Sequence, residues 1–212
     1  MEKLLKQLLL ILFSMIKRGL KIMSEQINSP LNDKIEIKSD AISLHNVNYV
    51  GKINLRVNEI DSDLRNKISD FLGYELPFNN KVSGDNKTRT LWLGPNEYLI
   101  LCEDNEKYNI INDLRSNLGS DFFAITDVSD YYLTMRLSGQ NAIDVLSKSC
   151  SLDFKLNVSE KDTCAQTYIN KATVLIDRLS EENIFDISVR WSFAEYLWEW
   201  LSDSCREYIN EN

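Results

Sequence analysis

Residues 124–150, AITDVSDYYLTMRLSGQNAIDVLSKSC, carry two hydrophobic periods in succession. Tyr132, Thr134, Arg136 and Ser138 alternate with Tyr131, Leu133, Met135 and Leu137, the two-residue period of a half-buried strand. Gly139 ends that strand. Ala142, Val145, Leu146 and Cys150 then fall at helical spacing, with Asn141 or Ser138 placed to cap the helix. Ala124 to Thr126 forms a short strand ahead of this one, and Asp127, Ser129 and Asp130 supply the turn between the two. Such a strand–Gly–helix unit in mid-chain is expected to join two similar halves.

The flanking sequence repeats the pattern. Ile35 to Val57 alternates and predicts two or three strands. A helix opening near Asn58, Asp61 and Asp63 carries Leu64, Ile68, Phe71 and Leu72 on one face and stops at Gly73. Residues 74–88 are expected to form a loop. Residues 89–102 read as a hairpin turned at Gly94–Glu97, followed by a helix from about Asn105 to Leu118 that Gly119 closes. Beyond Cys150 come a polar loop, a hairpin turned near Asn170 and Lys171, a strand from Ile184 to Val189, and a last helix from Ser192 to about Tyr208. Strand, helix, hairpin and helix thus recur at 48–118 and 131–208. Because hairpins dominate, the pattern predicts an α+β fold of mostly antiparallel sheets with helices packed on them. The halves are placed at 35–126 and 127–208 of a domain covering 24–212.

Residues 1–23 stand apart. The apolar run Leu8–Ile16 is much shorter than the ~20 residues a bilayer-spanning helix needs. It also lacks the small-residue cleavage pattern of a signal peptide, and basic residues follow it. A membrane-surface helix is one reading, since Lys17, Arg18 and Lys21 follow the apolar stretch. The other is a dispensable extension ahead of a natural start at Met23, which mass spectrometry of the native N-terminus would decide.

Composition narrows the function. Of 212 residues, 43% are hydrophobic and 26% charged, as in ordinary folded domains, and the formal net charge is −8. Without a basic stripe, nucleic acid is not an expected partner. Cys102, Cys150, Cys164 and Cys205 are far apart and in apolar contexts, and one histidine cannot complete a Cys/His metal cluster. They read as buried core cysteines of a reducing, cytoplasmic protein.

Little else suggests chemistry. A nucleophile–base pair would have to use His45, which sits in a strand-like polar segment and reads as structural or solvated. No glycine-rich nucleotide loop is present. Asp127 with Asp130 could be a carboxylate pair of raised pKa, but D-V-S-D between strands is more often an Asx turn. Asp177 with Arg178 and Asp186 with Arg190 could make an anion or carboxylate site, but Asp177 and Arg178 face opposite sides of a strand and cannot converge on one ligand, so sheet ion pairing is the expected use. No catalytic, cofactor-binding or metal-binding residue is assigned. The terminal helix is different: FAEYLWEWL spreads large side chains over nearly every face, where one stripe of about 100° suffices for a single core. Phe193, Tyr196, Leu197, Trp198 and Trp200 are therefore candidates for a protein–protein contact, core packing being their other use.

The run CAQTYINKATVLIDRL…FDISVRWSFAEYLWEWL over residues 164–201 resembles the gamma subunit of heterotetrameric sarcosine oxidase. So do LGPNEYLIL at 93–101, DVSDYYLTMRLSG at 127–139 and SPL at 29–31; the likeness covers most of 24–205 in order and leaves out residues 1–22. It implies a fold similar to the folate-binding domain of the glycine cleavage T-protein. It also implies a non-catalytic, cytoplasmic place beside alpha, beta and delta subunits in a complex that oxidatively demethylates sarcosine to glycine. In that complex oxygen becomes hydrogen peroxide and the one-carbon unit passes to tetrahydrofolate. Flavin, NAD, folate and zinc are then expected in the partner subunits and none in this chain, with no membrane attachment.

Two departures bear on the alternatives. Nothing here is like the K-G-C-x-x-G-Q signature of folate-dependent iron–sulfur maturation proteins, and the second domain of an aminomethyltransferase is missing. The alternative readings are the equivalent subunit of an N-methylglutamate dehydrogenase-like complex and a stand-alone folate-binding one-carbon protein. Titration with tetrahydrofolate separates the latter.

Overall fold

A computed structural model describes residues 29–47, 49–57, 62–85, 87–119, 121–180 and 182–209. The expected extension at 1–23 and the helix opening at 58–61 lie outside these. Contacts divide the chain into residues 1–33 and 34–212. Of the first unit, residues 29–33 form a turn in which the Asn32 N–H donates to the Ser29 carbonyl at 3.0 Å.

The second unit contains eleven described strands: β1 (Ile37–Lys38), β2 (Ser43–Asn46), β3 (Gly51–Val57), β4 (Val82–Gly84), β5 (Thr88–Gly94), β6 (Glu97–Cys102), β7 (Phe123–Asp127), β8 (Tyr132–Ser138), β9 (Thr163–Ile169), β10 (Ala172–Ser180) and β11 (Ile184–Arg190). Its four described α-helices are α1 (Ser62–Leu72), α2 (Lys107–Leu118), α3 (Ala142–Ser147) and α4 (Ala194–Cys205). A six-stranded sheet has the order β1-β2-β8-β11-β10-β9 and a five-stranded sheet the order β4-β5-β6-β3-β7, every pairing being antiparallel. This is the α+β architecture that the hairpin-rich pattern predicts.

Read from the other end, the six-stranded sheet runs β9-β10-β11-β8-β2-β1, and its first five strands repeat the arrangement β4-β5-β6-β3-β7. The correspondence holds because β2 stands beside β8 where β7 stands beside β3. Strands β1 and β2, from the first expected half, therefore close the sheet of the second. Residues 74–88 are not wholly loop either: β4 lies within them and pairs with β5. Three residues cannot display a period, so the strand was hidden among Asn, Gly and Lys.

Alternation decides what each strand face touches. Ile53, Leu55 and Val57 on β3 and Tyr98, Ile100 and Cys102 on β6 pack with Ile68 and Leu72 of α1 and Ile111, Leu114 and Leu118 of α2. Leu91, Leu99 and Val82 turn to the opposite face and pack with Cys164 and Leu175 of the other sheet. Both faces of the central strands are thus covered, which is why β3 is buried at Lys52 as well as at Ile53 and Leu55. The last helix is shorter than expected, 194–205, with 3₁₀ turns at Trp191–Phe193 and Arg206–Tyr208. No described helix is long and apolar enough to cross a membrane.

Gly139, between β8 and α3, is required where it stands. Its φ is +122°, and a Cβ there would lie 2.4 Å from the Ala41 carbonyl oxygen. The backbone leading into β2 crosses at that point, and the Asn141 N–H donates to the same carbonyl at 3.3 Å.

Candidate functional site

The two sheets face each other through a layer that is apolar at one end and ionic at the other. At the ionic end a cavity of about 280 Å³ is lined by Arg89 of β5, Thr134 and Arg136 of β8, Asp177 of β10, and Asp186 and Ser188 of β11, over a floor that includes Leu99 and Leu101. A wider hollow of about 660 Å³ is lined by Phe71, Leu72 and Ile110 together with Asp85, Lys87, Thr88 and Glu103, the last four of which also line the first cavity.

Two arginine–carboxylate forks lie in this layer. Arg89 donates from Nε and Nη2 to the two Asp177 oxygens, each at 2.7 Å, and from Nη1 to Asp162 at 2.9 Å. Arg136 donates from Nε and Nη2 to Asp186 at 2.7 and 2.9 Å. Asp177 and Asp186 are register partners on β10 and β11, so the forks stand side by side. Burial raises the Asp177 carboxyl above its ordinary range despite Arg89. Burial also acts against the Arg89 charge, but its two carboxylate partners outweigh it and leave the guanidinium more basic than usual.

A second cluster borders on the first. Lys52, 2% exposed, carries its ammonium 5.9 Å from the Tyr49 ring centroid, and Lys107 lies 5.5 Å from the same ring. Burial lowers Lys52 to about 8, with only partial compensation from Asp186, Asp104 and Asp130. Lys107 instead meets Asp104 at 2.7 Å and Asp127 at 3.4 Å. The Tyr49 hydroxyl donates to Asp130.

Asp127 is an Asx turn: one carboxylate oxygen accepts from the Ser129 N–H at 3.0 Å and its hydroxyl at 2.5 Å. Burial works against the Asp127 charge, but those bonds and Lys107 hold it below the usual range. Asp130 instead accepts from the Tyr49 hydroxyl, so the two carboxylates have separate partners and the carboxylate-pair reading is corrected. Asp177 and Arg178 diverge as alternation requires, Arg178 reaching the Val158 and Ser159 carbonyls at 2.8 and 2.6 Å. Asp186 pairs with Arg136 rather than with Arg190, because cross-strand register sets Arg136 opposite it whereas Arg190 lies four residues along the same strand. His45 stands opposite Arg136 on β2, its Nδ1 3.8 Å from Glu36 and without a hydrogen bond. All four cysteines are buried and free, burial pushing Cys164 up to about 12.

The arrangement joins sheets: both cavity arginines spend their guanidinium groups on carboxylates of this chain, leaving no poised acid–base pair between them. Among the described residues no group of three His, Cys, Asp or Glu is placed to hold a metal. The partner inside the fold could not be read from sequence, since Arg89 and Asp177 lie far apart in the chain and neither is in a motif.

The terminal-helix candidates divide. Leu197 and Trp198 are 0% and 4% exposed, so this chain itself covers them. Phe193 is 39% exposed and packs edge to face with the half-buried Tyr196, ring centroids 6.2 Å apart. Trp200 is half-buried, with an indole N–H that lacks an acceptor. A stripe of α4 is thus core, and the aromatic remainder continues toward the 3₁₀ turn before it.

Residues 56–207 match the family model described as sarcosine oxidase, gamma subunit family. The sarcosine oxidase subunit gamma of Corynebacterium sp. strain U-96 is 32% identical over 129 residues, 60% of this chain and 62% of that protein. The corresponding subunit of Corynebacterium sp. strain P-1 is 31% identical over 124 residues, 58% of this chain and 60% of that one. The aligned region thus spans about three-fifths of these relatives. In three dimensions the chain is similar, with a TM-score of 0.74 and 28% identity, to a chain of the heterotetrameric sarcosine oxidase from Corynebacterium sp. U-96, covering 84% of this chain and 90% of that one. Glycine cleavage system aminomethyltransferase T from Bartonella henselae shares the fold, with a TM-score of 0.54 and 14% identity over 74% of this chain and 44% of that one.

Proposed function

The chain belongs to the sarcosine oxidase gamma subunit family, and from that premise we propose that it is a non-catalytic subunit of a cytoplasmic heterotetrameric oxidase acting on sarcosine. Alpha, beta and delta subunits are its partners. In this reading the flavins, the dinucleotide, folate and zinc are held by those partners, and this chain supplies a rigid body and contact surface. The observation that supports it most is the likeness to nearly the whole of one chain of the Corynebacterium heterotetramer. The internal pairing of the cavity arginines agrees with a structural part, because a catalytic base or anion site needs groups free to meet a ligand.

Co-expression with alpha, beta and delta homologues tests the proposal. Co-elution of all four chains at the mass of a heterotetramer is the expected result. Elution of this chain alone from an active assembly of the others overturns it, as does oxidation of sarcosine by the isolated chain.

A further inference from the structure

Each other described arginine donates to a carboxylate, carbonyl or hydroxyl of this chain: Arg56 to Glu97, Arg65 to Leu76 and Tyr98, Arg89 to Asp177, Arg115 to Ile125, Arg136 to Asp186, Arg178 to Val158, and Arg206 to Asp203. Arg190 does not. At the exposed end of β11, its guanidinium lies 5.4 Å from the Tyr131 ring centroid and meets no acidic group of the described residues. In a chain of net charge −8, a surface cation left without a carboxylate is conspicuous.

Its surroundings are aromatic. Tyr131, 43% exposed, packs edge to face on Tyr132 at 4.6 Å, and Tyr132 is the cross-strand partner of Arg190. The Trp191 N–H donates to the Tyr131 carbonyl at 3.0 Å, which brings the 3₁₀ turn carrying Phe193 against the same strand end, and Phe193 leads on to Tyr196. Tyrosine, tryptophan and arginine are the residues that dominate binding energy at interfaces, and an aromatic border that excludes water strengthens a charge-assisted bond at its centre.

We propose that this collar is a docking surface with Arg190 as its anchor, and that its occupant is a carboxylate set among aliphatic side chains on a larger subunit of the complex. The proposal rests on the gamma-subunit reading and adds the location and chemistry of the contact. Charge complementarity favours that occupant. A second copy of this chain is disfavoured, because a two-fold contact centred on the collar brings Arg190 toward Arg190.

The test uses the full chain and the co-expressed alpha, beta and delta subunits, with affinity measured by interferometry. Arg190→Ala is expected to weaken assembly about thirtyfold or more, Arg190→Lys by about tenfold because the charge stays and the fork is lost, and Arg190→Glu to abolish it. Lys38→Ala, at the opposite end of the same sheet, level with Ser138 and Ile184, leaves affinity unchanged, and melting temperatures report that each variant is folded. Phenylglyoxal is expected to label Arg190 in the isolated chain and to be blocked in the complex. Wild-type affinity in both Arg190→Ala and Arg190→Glu overturns the docking proposal while leaving the subunit reading intact. A wild-type chain that binds none of the subunits overturns both. Protection of Arg190 in the isolated chain overturns it in favour of a second copy or the chain's own N-terminal residues, which sedimentation separates.

Discussion

Arg89 on β5 and Asp177 on β10 meet as a two-pronged fork, both donor–acceptor distances 2.7 Å, across the space between the two sheets. The carboxylate side chain is 4% exposed and the guanidinium 25%. Removing one partner strands a buried charge, whereas replacing both removes the cost of burying them. Arg89→Ala is therefore expected to destabilise the fold by about 3–5 kcal/mol. The double variant Arg89→Met, Asp177→Leu should recover most of that loss. Urea unfolding midpoints at constant slope read both outcomes, and an additive double variant would refute the coupling.

Lys52 gives the stability a pH dependence of its own. Its folded value, about 8, lies below the ordinary 10.5 because of burial. Between those values the unfolded chain holds a proton that the folded chain has released, so stability rises with pH across that window. Lys52→Met should stabilise the protein at pH 7 by about 3 kcal/mol, and the gap to wild type should narrow steadily from pH 8 to pH 10.5. Denaturant unfolding of both proteins across that range measures it. A pH-independent difference counts against the assignment.

Gly139→Ala places a methyl group 2.4 Å from the Ala41 carbonyl oxygen and fixes an L-residue at φ +122°. The expected cost is about 3 kcal/mol, visible as a lowered melting temperature. Gly73→Ala is the comparison, with positive φ (+82°) but nothing within 4 Å of the added carbon, and it should cost less.

On the terminal helix, stability and surface are expected to separate. Leu197→Ala should cost about 2–5 kcal/mol, as for any large side chain deleted from a packed core. Phe193→Ser, at a position 39% exposed, should change stability by less than about 1 kcal/mol. Thermal denaturation of the two variants against wild type decides it.

The cysteines should be silent toward alkylation. Burial holds Cys102 and Cys205 at about 11 and Cys164 at about 12, so thiolate is scarce near neutral pH. Iodoacetamide at pH 7.5 should leave the native chain unmodified and add four groups after unfolding in guanidinium. Rapid native labelling would show an open thiol.

Local signals carried much of this architecture. Alternation located β8, Asn170 located the β9–β10 turn, and the Ile110, Ile111, Leu114 and Leu118 spacing located α2. What stayed hidden was long-range. Nothing near Arg89 names Asp177, nothing near Ser43 names Ser138, and β4 is too short to show a period. The terminal helix was legible as too aromatic for one core, yet its sequence could not say which side chains the chain buries. Asp186 meets Arg136 through cross-strand register, which no pattern along β11 displays, and this leaves Arg190 for another use.

The loan of β2 to the later sheet bears on biosynthesis. Ser43 emerges from the ribosome long before Ser138, its eventual neighbour, and cannot be zipped into place until that residue has been translated. Such distant pairing slows folding and leaves backbone edges open in the meantime. A nonsense codon between β2 and β8 would thus yield a polypeptide with an orphaned strand, a substrate for chaperones and proteases rather than a smaller working module.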